Sequence, residues 1–192
     1  MQESGWCERT PPIRLLHSLL GDFNLLSELE NYLQRIEDLH GQIIDLIDGV
    51  PRDGLNFFPI VLPQLQVSNS MAHLAAHVAG AEHYWIGEVI GGLPATRDRA
   101  SEFNFKSKGA ASLIENLNSI FLETKSIFSY LTETDLSKTY EVDEKMVPGR
   151  WAIVYVIDHT ALHLGHMQLT YQLWAKGDSK PSPFWFSRFP PR

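Results

Sequence analysis

The residues with the clearest capacity for chemistry are three histidines near the carboxyl end of the chain, His159, His163 and His166. Their spacings of four and three residues place all three side chains on one face of an α-helix. Two imidazoles one turn apart can bind a single metal ion, as in other helical His-x-x-x-His sites. Neutral imidazole suits Zn, Ni, Cu and Fe, so the pattern predicts a site for a divalent transition metal.

Such a site needs a third ligand, and a second histidine-rich stretch lies far upstream, at His73, His77 and His83. His77 is the first choice, because it lies in the middle of a predicted helix beside a stripe of apolar residues. His73, one turn earlier, is the main alternative, and His83 is expected to be more exposed. Three protein ligands would leave coordination positions open for water or substrate.

Histidines on a helix can also be ordinary core residues. A single His-x-x-x-His pair often arises by chance, and a buried imidazole can be hydrogen-bonded within the protein interior. His17 and His40 are assigned to this structural class. Spacing alone leaves a metal site and core packing both open, although the concentration of histidines at 159–166 favours the metal.

Four long helices are predicted to position these residues, because apolar residues recur every three or four positions in four segments. The predicted bounds are about 26–47, 70–91, 108–131 and 150–175. Ser68 or Ser70 would cap the second helix. The connections between the helices are predicted to be irregular. Residues 92–108 would form a polar surface crossover, and a strand-like piece is expected near residues 140–142.

The predicted fold class is all-α, a four-helix bundle with long crossover connections and a single domain over residues 1–192. Residues 1–12 are expected to form a loose N-terminal extension. Residues 178–192 form a tail rich in proline and aromatic residues, which we expect to pack on the bundle or on a partner subunit.

Composition excludes several classes of partner. The formal charge is −7 and no long basic run is present, which opposes nucleic-acid binding. Cys7 is the single cysteine, so an intrachain disulfide is impossible. No apolar run reaches the roughly 18 residues of a membrane helix. The polar start of the chain lacks the features of a signal peptide, so a cytoplasmic location is expected.

Two segments resemble the DinB-like superfamily. Residues 156–170 read VIDHTALHLGHMQLT and follow Arg150-Trp151, and they are similar to the last helix of that superfamily. Residues 70–85 read SMAHLAAHVAGAEHYW and look like its second helix. In that helix a histidine is followed by an acid five residues later and by a tryptophan eight residues later. His77, Glu82 and Trp85 match this pattern.

The resemblance implies a four-helix bundle wired up-down-down-up, often in a homodimer, with a three-histidine site for Ni or Zn. The ligands would be His77, His159 and His163. Many members have glutamine where this chain has His166. His166 could therefore be a fourth ligand, a substrate contact or a residue that orients a ligand, and we rank the last first because three ligands already make an open site.

The resemblance also implies a metal-dependent enzyme that transfers a low-molecular-weight thiol, such as bacillithiol or mycothiol, to an electrophilic small molecule. A divalent metal favours thiolate, the nucleophilic form, over thiol. Tyr155, one turn before His159, is the first candidate for a proton acceptor or positioning group. Asp158 and Glu82 are expected to be surface carboxylates or partners of a ligand.

Three alternatives stay open. The site could serve metal-assisted hydrolysis or isomerisation through a bound water. The protein could be a metal-binding stress-response protein without enzymatic activity, in which case a fourth ligand should close the site. It could also be a structural bundle without a metal, although three histidines converging from two helices are hard to explain by packing.

Overall fold

The computed structural model describes residues 26–62, 65–66 and 68–178. The expected N-terminal extension 1–12, with Cys7, lies outside the described residues. His17 and all but the first residue of the tail 178–192 also lie outside them.

The described chain is mostly helical. In chain order the helices are α1 (Ser27–Ile47), α2 (Arg52–Leu55), α3 (Met71–Glu82), α4 (Ala110–Phe128), α5 (Glu133–Ser137) and α6 (Gly149–Trp174). A π-helical stretch, His83–Ile90, continues α3, and a 3-10 turn covers Ser101–Phe103. Strands β1 (Val61–Leu62) and β2 (Leu65–Gln66) pair antiparallel, and so do β3 (Thr139–Val142) and β4 (Lys145–Pro148).

The four long helices pack around two apolar clusters. Helix α1 contacts α4 and α6, and α3 contacts the same two helices. One cluster includes Ile43, Val78, Leu117 and Met167, and the other includes Ile36, Ile86, Phe128 and Ile153. Each long helix contributes to both clusters, because its apolar residues recur at helical spacing along one face.

A layer of polar side chains lies between the two apolar clusters along the helices. In α1, His40 stands between Ile36 of one cluster and Ile43 of the other. In α6, His159 and His163 stand between cluster members in the same way. These polar residues therefore lie between the two apolar clusters, where the surrounding packing fixes their backbone.

Several details differ from the sequence-based expectations. The connection predicted as irregular at 50–67 contains α2 and the β1–β2 pair. The strand-like piece expected near 140–142 is confirmed, and it forms one arm of the β3–β4 hairpin. The second long helix is not α-helical throughout, since its turns widen to π spacing from His83. A π turn holds more residues than an α turn, so Ile86 is buried and Trp85 is only half-buried.

No helix in the described ranges is long and apolar enough to cross a membrane.

Candidate metal centre

Helix α3 places His77 inside the protein. The hydroxyl of Ser70 accepts a hydrogen bond from the backbone N–H of His73 and so caps the helix, as one of the two predicted caps would. The helix is rich in alanine, whose small side chain lets neighbouring elements approach closely. The side chain of His77 is 9% exposed.

Helix α6 places His159 and His163 one turn apart and half-buried. Nε2 of His163 lies 3.1 Å from Nε2 of His159. The ring centroids of the two imidazoles are 4.4 Å apart and nearly perpendicular. The i, i+4 spacing therefore brings two ligand atoms to one point, as the sequence predicts.

His77 completes the group from the other helix. Its Nε2 lies 3.1 Å from Nε2 of His159, and all three imidazoles offer a nitrogen within 4.8 Å of the others. Two nitrogens at about 2.0–2.1 Å from a tetrahedral ion are roughly 3.3 Å apart. The two separations of 3.1 Å are close to that value, and the third is within 4.8 Å, so the three side chains could converge on a zinc-like ion.

The electrostatics of the site favour neutral imidazoles. Burial, reinforced by the neighbouring histidines, lowers the pKa of His159 to about 3 and that of His163 to about 4. Burial also lowers the pKa of His77, although its hydrogen bond to Glu102 opposes the change. Metal binding needs the deprotonated imidazole. The three imidazoles are therefore in the form that a metal ion would require near neutral pH.

A carboxylate and an arginine support His77 from behind. Nδ1–H of His77 donates to Oε2 of Glu102 at 2.7 Å, and Glu102 is 8% exposed. Arg97 donates to both oxygens of the same carboxylate, at 2.7 and 3.1 Å. A carboxylate on the far nitrogen fixes the tautomer and the ring of a metal-binding histidine. This leaves Nε2 of His77 as the acceptor that faces the other two histidines.

Gly80 makes room for this carboxylate. A Cβ atom added at position 80 would lie 2.2 Å from Oε1 of Glu102 and 2.8 Å from its carboxyl carbon. Glycine in a helix interior costs about 0.5–1 kcal/mol relative to alanine. The close approach of Glu102 to α3 explains why the helix contains a glycine one turn after His77.

Tyr155 and His166 lie on either side of the α6 pair. The ring of Tyr155 stacks on His159 with centroids 5.5 Å apart and planes inclined by 30°. Nδ1 of His166, an exposed residue, lies 3.3 Å from Nδ1 of His163. That contact is made to the nitrogen of His163 other than the Nε2 that approaches His159.

A family model described as mycothiol-S-transferase matches the chain over residues 53–173. The chain belongs to this family. The matched residues contain α3, α4 and nearly all of α6, so all three histidines lie inside them. The DinB-like resemblance of the sequence is thereby confirmed.

Solved structures share the fold of this mycothiol-S-transferase family member. A conserved protein from Enterococcus faecalis is similar with a TM-score of 0.58 at 16% identity, over 77% of this chain and 96% of that one. A DinB-like protein, YjoA, from Bacillus subtilis is similar with a TM-score of 0.56 at 16% identity, over 83% and 97%. No curated protein sequence matches significantly.

Three further histidines of this family member, all among the described residues, lie outside the group of three. His73 is buried and its Nε2 contacts the carbonyl oxygen of Phe105 at 2.9 Å. His83 is half-buried and contacts Glu123 at 2.7 Å. His40 is buried and hydrogen-bonded to Glu82, so its prediction as a core histidine is confirmed.

The expectation for Glu82 was wrong, and that for Asp158 holds. Glu82 is fully buried and contacts His40 at 2.8 Å and Thr124 at 2.6 Å, so it is neither a surface residue nor a partner of His77. Five residues after His77 the side chain points into the core between α1 and α4. Asp158 is exposed.

Sequence reasoning missed the contribution of the crossover 92–108. Glu102 and Arg97 lie in this segment, which was expected to be a polar surface connection, yet Glu102 is buried against His77. Phe103 packs on His77 as well, with ring centroids 4.9 Å apart. The available signal was Gly80, because a glycine inside a helix beside a candidate ligand indicates that another group approaches there.

A cavity of about 320 Å³ lies beside the site rather than at it. Its lining includes Gly80, Arg97, Glu102, Asn116 and Ile120, and none of the three α6 histidines. Because its wall includes the carboxylate that holds His77, the cavity adjoins the rear of the candidate metal centre.

Proposed function

We propose that this protein is a divalent-metal-dependent transferase that joins a low-molecular-weight thiol to an electrophilic small molecule. The single observation that carries the proposal is the convergence of three neutral imidazole nitrogens from two helices, with His77 oriented by a buried carboxylate. Membership of a family described as mycothiol-S-transferase supports the reaction class.

His77, His159 and His163 would hold the metal, with Ni or Zn as the ions implied by the donor set and the resemblance. A cation bound there would favour thiolate over thiol and so supply the nucleophile. In the reaction the S–H proton is lost, a sulfur–carbon bond forms, and the leaving group departs from the electrophile. Tyr155 is the proposed proton acceptor or positioning group, and its ring holds His159 by stacking.

The position of His166 supports an open site over a closed one. Its contact is with Nδ1 of His163, whereas Nε2 of His163 faces His159. We therefore propose that His166 orients His163 and does not occupy a fourth coordination position. This favours the enzyme over the sequestering protein, in which a fourth ligand should close the site.

We also propose that α1, α3, α4 and α6 form a four-helix bundle wired up-down-down-up within a single domain. Arg150 at the start of α6 bonds Glu28 at the start of α1, which supports a parallel pair. Trp85, late in the second long segment, contacts Trp151 at the start of α6, which supports an antiparallel pair.

Two pairs of neighbouring residues support a parallel arrangement of α3 and α4. Ala76 lines the same cavity as Asn116, and His83 bonds Glu123 further along both helices.

A homodimer and a cytoplasmic location complete the proposal. Helix α6 carries several large apolar side chains that are at least 40% exposed: Trp151, Val154, Leu162, Leu169 and Leu173. Exposed apolar surface of this kind is typical of interfaces between subunits. We expect a dimeric mass in solution, and a monomer at high concentration would contradict this part of the proposal.

The test compares His77→Gln with His83→Gln. His77 lies in α3 and His83 in its π-helical continuation, and each donates a hydrogen bond to a glutamate at 2.7 Å. Purified proteins are loaded with Ni²⁺ or Zn²⁺, and bound metal is quantified. Transfer of mycothiol and of bacillithiol to monochlorobimane is then followed by fluorescence. Wild-type protein and His83→Gln should bind one metal and catalyse transfer, and His77→Gln should do neither. Full metal content in His77→Gln would contradict the assignment of His77 as a metal ligand. Metal binding by wild-type protein without turnover of either thiol would contradict the proposed transferase activity.

A further inference from the structure

The π-helical stretch that continues α3 binds the start of the crossover 92–108. The stretch ends at Ile90, and Gly92 has a φ of 69°, a left-handed conformation that favours glycine. The chain reverses there, so the crossover begins beside the helix that it has just left. One oxygen of Glu88, Oε1, accepts hydrogen bonds from the backbone N–H groups of Thr96 at 2.6 Å and of Arg97 at 2.8 Å.

This contact is sheltered from solvent. The side chain of Glu88 is 8% exposed and that of Arg97 is 14% exposed. Hydrogen bonds to a carboxylate are roughly twice as strong as those between neutral groups. Nε2 of His83 lies further away, at 3.4 Å from the same oxygen. Tyr84, in the same π-helical stretch, contacts the guanidinium, whose carbon is 5.6 Å from the ring centroid. The stretch therefore restrains both the backbone and the side chain of Arg97.

The position of Arg97 in turn determines that of the carboxylate behind His77. The guanidinium donates to both oxygens of Glu102, and Glu102 accepts the Nδ1–H of His77. Arg97 and Glu102 both lie in the crossover, which forms one short 3-10 turn and is otherwise irregular. The backbone N–H groups of such a segment have no helical partners, so side chains must bind them if the segment is to keep one position.

We propose that Glu88 is a positioning residue for the metal centre. By binding the backbone at Thr96 and Arg97 it fixes the crossover, and through Arg97 and Glu102 it fixes the imidazole of His77. Glu88 acts by where its oxygen lies and not by its negative charge. This inference rests on the proposed function in one respect, because it assumes that His77 binds a metal ion.

Two substitutions at this position separate geometry from charge. Glu88→Asp keeps the charge but shortens the side chain by one methylene, so the carboxylate no longer reaches both N–H groups. Glu88→Gln removes the charge but keeps an oxygen at the same distance from its backbone. The Zn²⁺ affinity of the full chain is measured by calorimetry. Hydrogen exchange of the amides of Thr96 and Arg97 is followed by NMR in the metal-free proteins, and it reports the contact without requiring metal or turnover.

The control is Asp135→Ala, in the capping box of α5. One oxygen of Asp135 also accepts two hydrogen bonds, from the backbone N–H and the hydroxyl of Thr132. This variant should lower the free energy of unfolding, measured by urea denaturation, and leave the Zn²⁺ affinity unaltered. It therefore separates a general loss of stability from a specific effect on the metal centre.

Glu88→Asp should speed exchange of both amides and lower the Zn²⁺ affinity about tenfold, the lower end of the range for residues behind a metal ligand, because Glu102 itself is retained. Glu88→Gln should stay within about threefold of wild type, since its oxygen can still accept both hydrogen bonds. In a Glu102→Gln background, Glu88→Asp should cause no further loss, because its effect is transmitted by the carboxylate that is already missing.

The order of the two variants decides between position and charge. A lower Zn²⁺ affinity in Glu88→Gln than in Glu88→Asp would overturn the inference, and so would a wild-type affinity in Glu88→Asp. Losses that add in full in the double variant with Glu102→Gln would also overturn it. Each of these results leaves the proposed function intact. Absence of Zn²⁺ binding by wild-type protein would overturn the proposed function, and the inference with it.

Discussion

Helix α3 contributes one member to each of two histidine–carboxylate pairs, His77 with Glu102 and His40 with Glu82. The contacts are almost equal in length, 2.7 and 2.8 Å, and all four side chains are less than 10% exposed. The pairs differ in what surrounds them. Both oxygens of Glu82 are used inside the core, by His40 and Thr124, whereas the second nitrogen of His77 faces two further histidines.

The difference shows how one kind of contact can serve either stability or chemistry. Glu82, whose two oxygens are both hydrogen-bonded in the core, links three helices and presents nothing to a ligand. A histidine whose partner occupies only Nδ1 keeps Nε2 available as a donor atom for metal. The two pairs therefore differ in what the second imidazole nitrogen faces. They do not differ in burial or in the length of the hydrogen bond.

The largest expected effect is on metal affinity, in His159→Gln. Removing one of three ligands should weaken metal binding by more than about 100-fold, because the remaining two imidazoles cannot define an open three-ligand site. The measurement is metal titration by calorimetry. His40→Gln is the comparison, since it changes the other pair and should bind metal with unaltered stoichiometry. Similar losses of affinity in both variants would remove the distinction between the pairs.

Glu82→Ala should cost about 3 kcal/mol of unfolding free energy, because it leaves His40 and Thr124 buried without their common partner. Urea denaturation of the metal-free protein measures this cost. Metal affinity should stay within a factor of about two, since the nitrogens of His77, His159 and His163 are not touched. A large loss of metal affinity in a folded Glu82→Ala protein would show that the two pairs act as one unit.

Glu102→Gln should show the opposite pattern. Loss of the carboxylate behind a metal-binding histidine lowers metal affinity by about 10- to 100-fold. The cost to folding should be smaller than in Glu82→Ala, because glutamine keeps the size of the buried side chain and an oxygen that can still accept a hydrogen bond. The control is Glu123→Gln, which removes the carboxylate partner of His83 at the same distance. Unchanged metal affinity in Glu102→Gln would mean that orientation of His77 does not depend on its partner.

The smallest expected effect is that of Gly80→Ala, about tenfold or less in metal affinity, because the carboxylate of Glu102 would be displaced rather than removed. The gain of about 1 kcal/mol that alanine brings over glycine in a helix interior should be offset by the displaced contacts of Glu102 with His77 and Arg97, so stability should not rise as it does in the control. Gly165→Ala is the matched control, because a Cβ at position 165 meets no atom within 4 Å. Metal titration of the two variants measures the change in metal affinity, and urea denaturation measures the change in the free energy of unfolding.

The helices could be predicted from sequence because apolar periodicity encodes them directly. Leu29, Leu33 and Ile36 of α1 are buried at helical spacing, and α6 begins and ends within one residue of expectation. Leu26, at the predicted start of the first helix, is exposed because it precedes the first turn of α1. Periodicity also could not reveal the π-helical stretch, which depends on how the following segment packs.

The grouping of His77 with His159 and His163 could be proposed because two imidazoles one turn apart need a third ligand from elsewhere. The supporting residues were out of reach for a different reason. Glu102 and Arg97 lie in a polar connection, and no periodicity marks which charged residue of such a segment turns inward.

The contact between Gly80 and Glu102 also constrains how this lineage can evolve. A side chain at position 80 and a carboxylate at position 102 exclude each other in space, so neither position can drift alone. Relatives that keep an acid at the position of Glu102 should keep glycine at the position of Gly80, and relatives that replace one should replace both. Position 80 lies in a helix and position 102 lies 22 residues later, in the crossover. Substitutions at the two positions should therefore occur together among relatives.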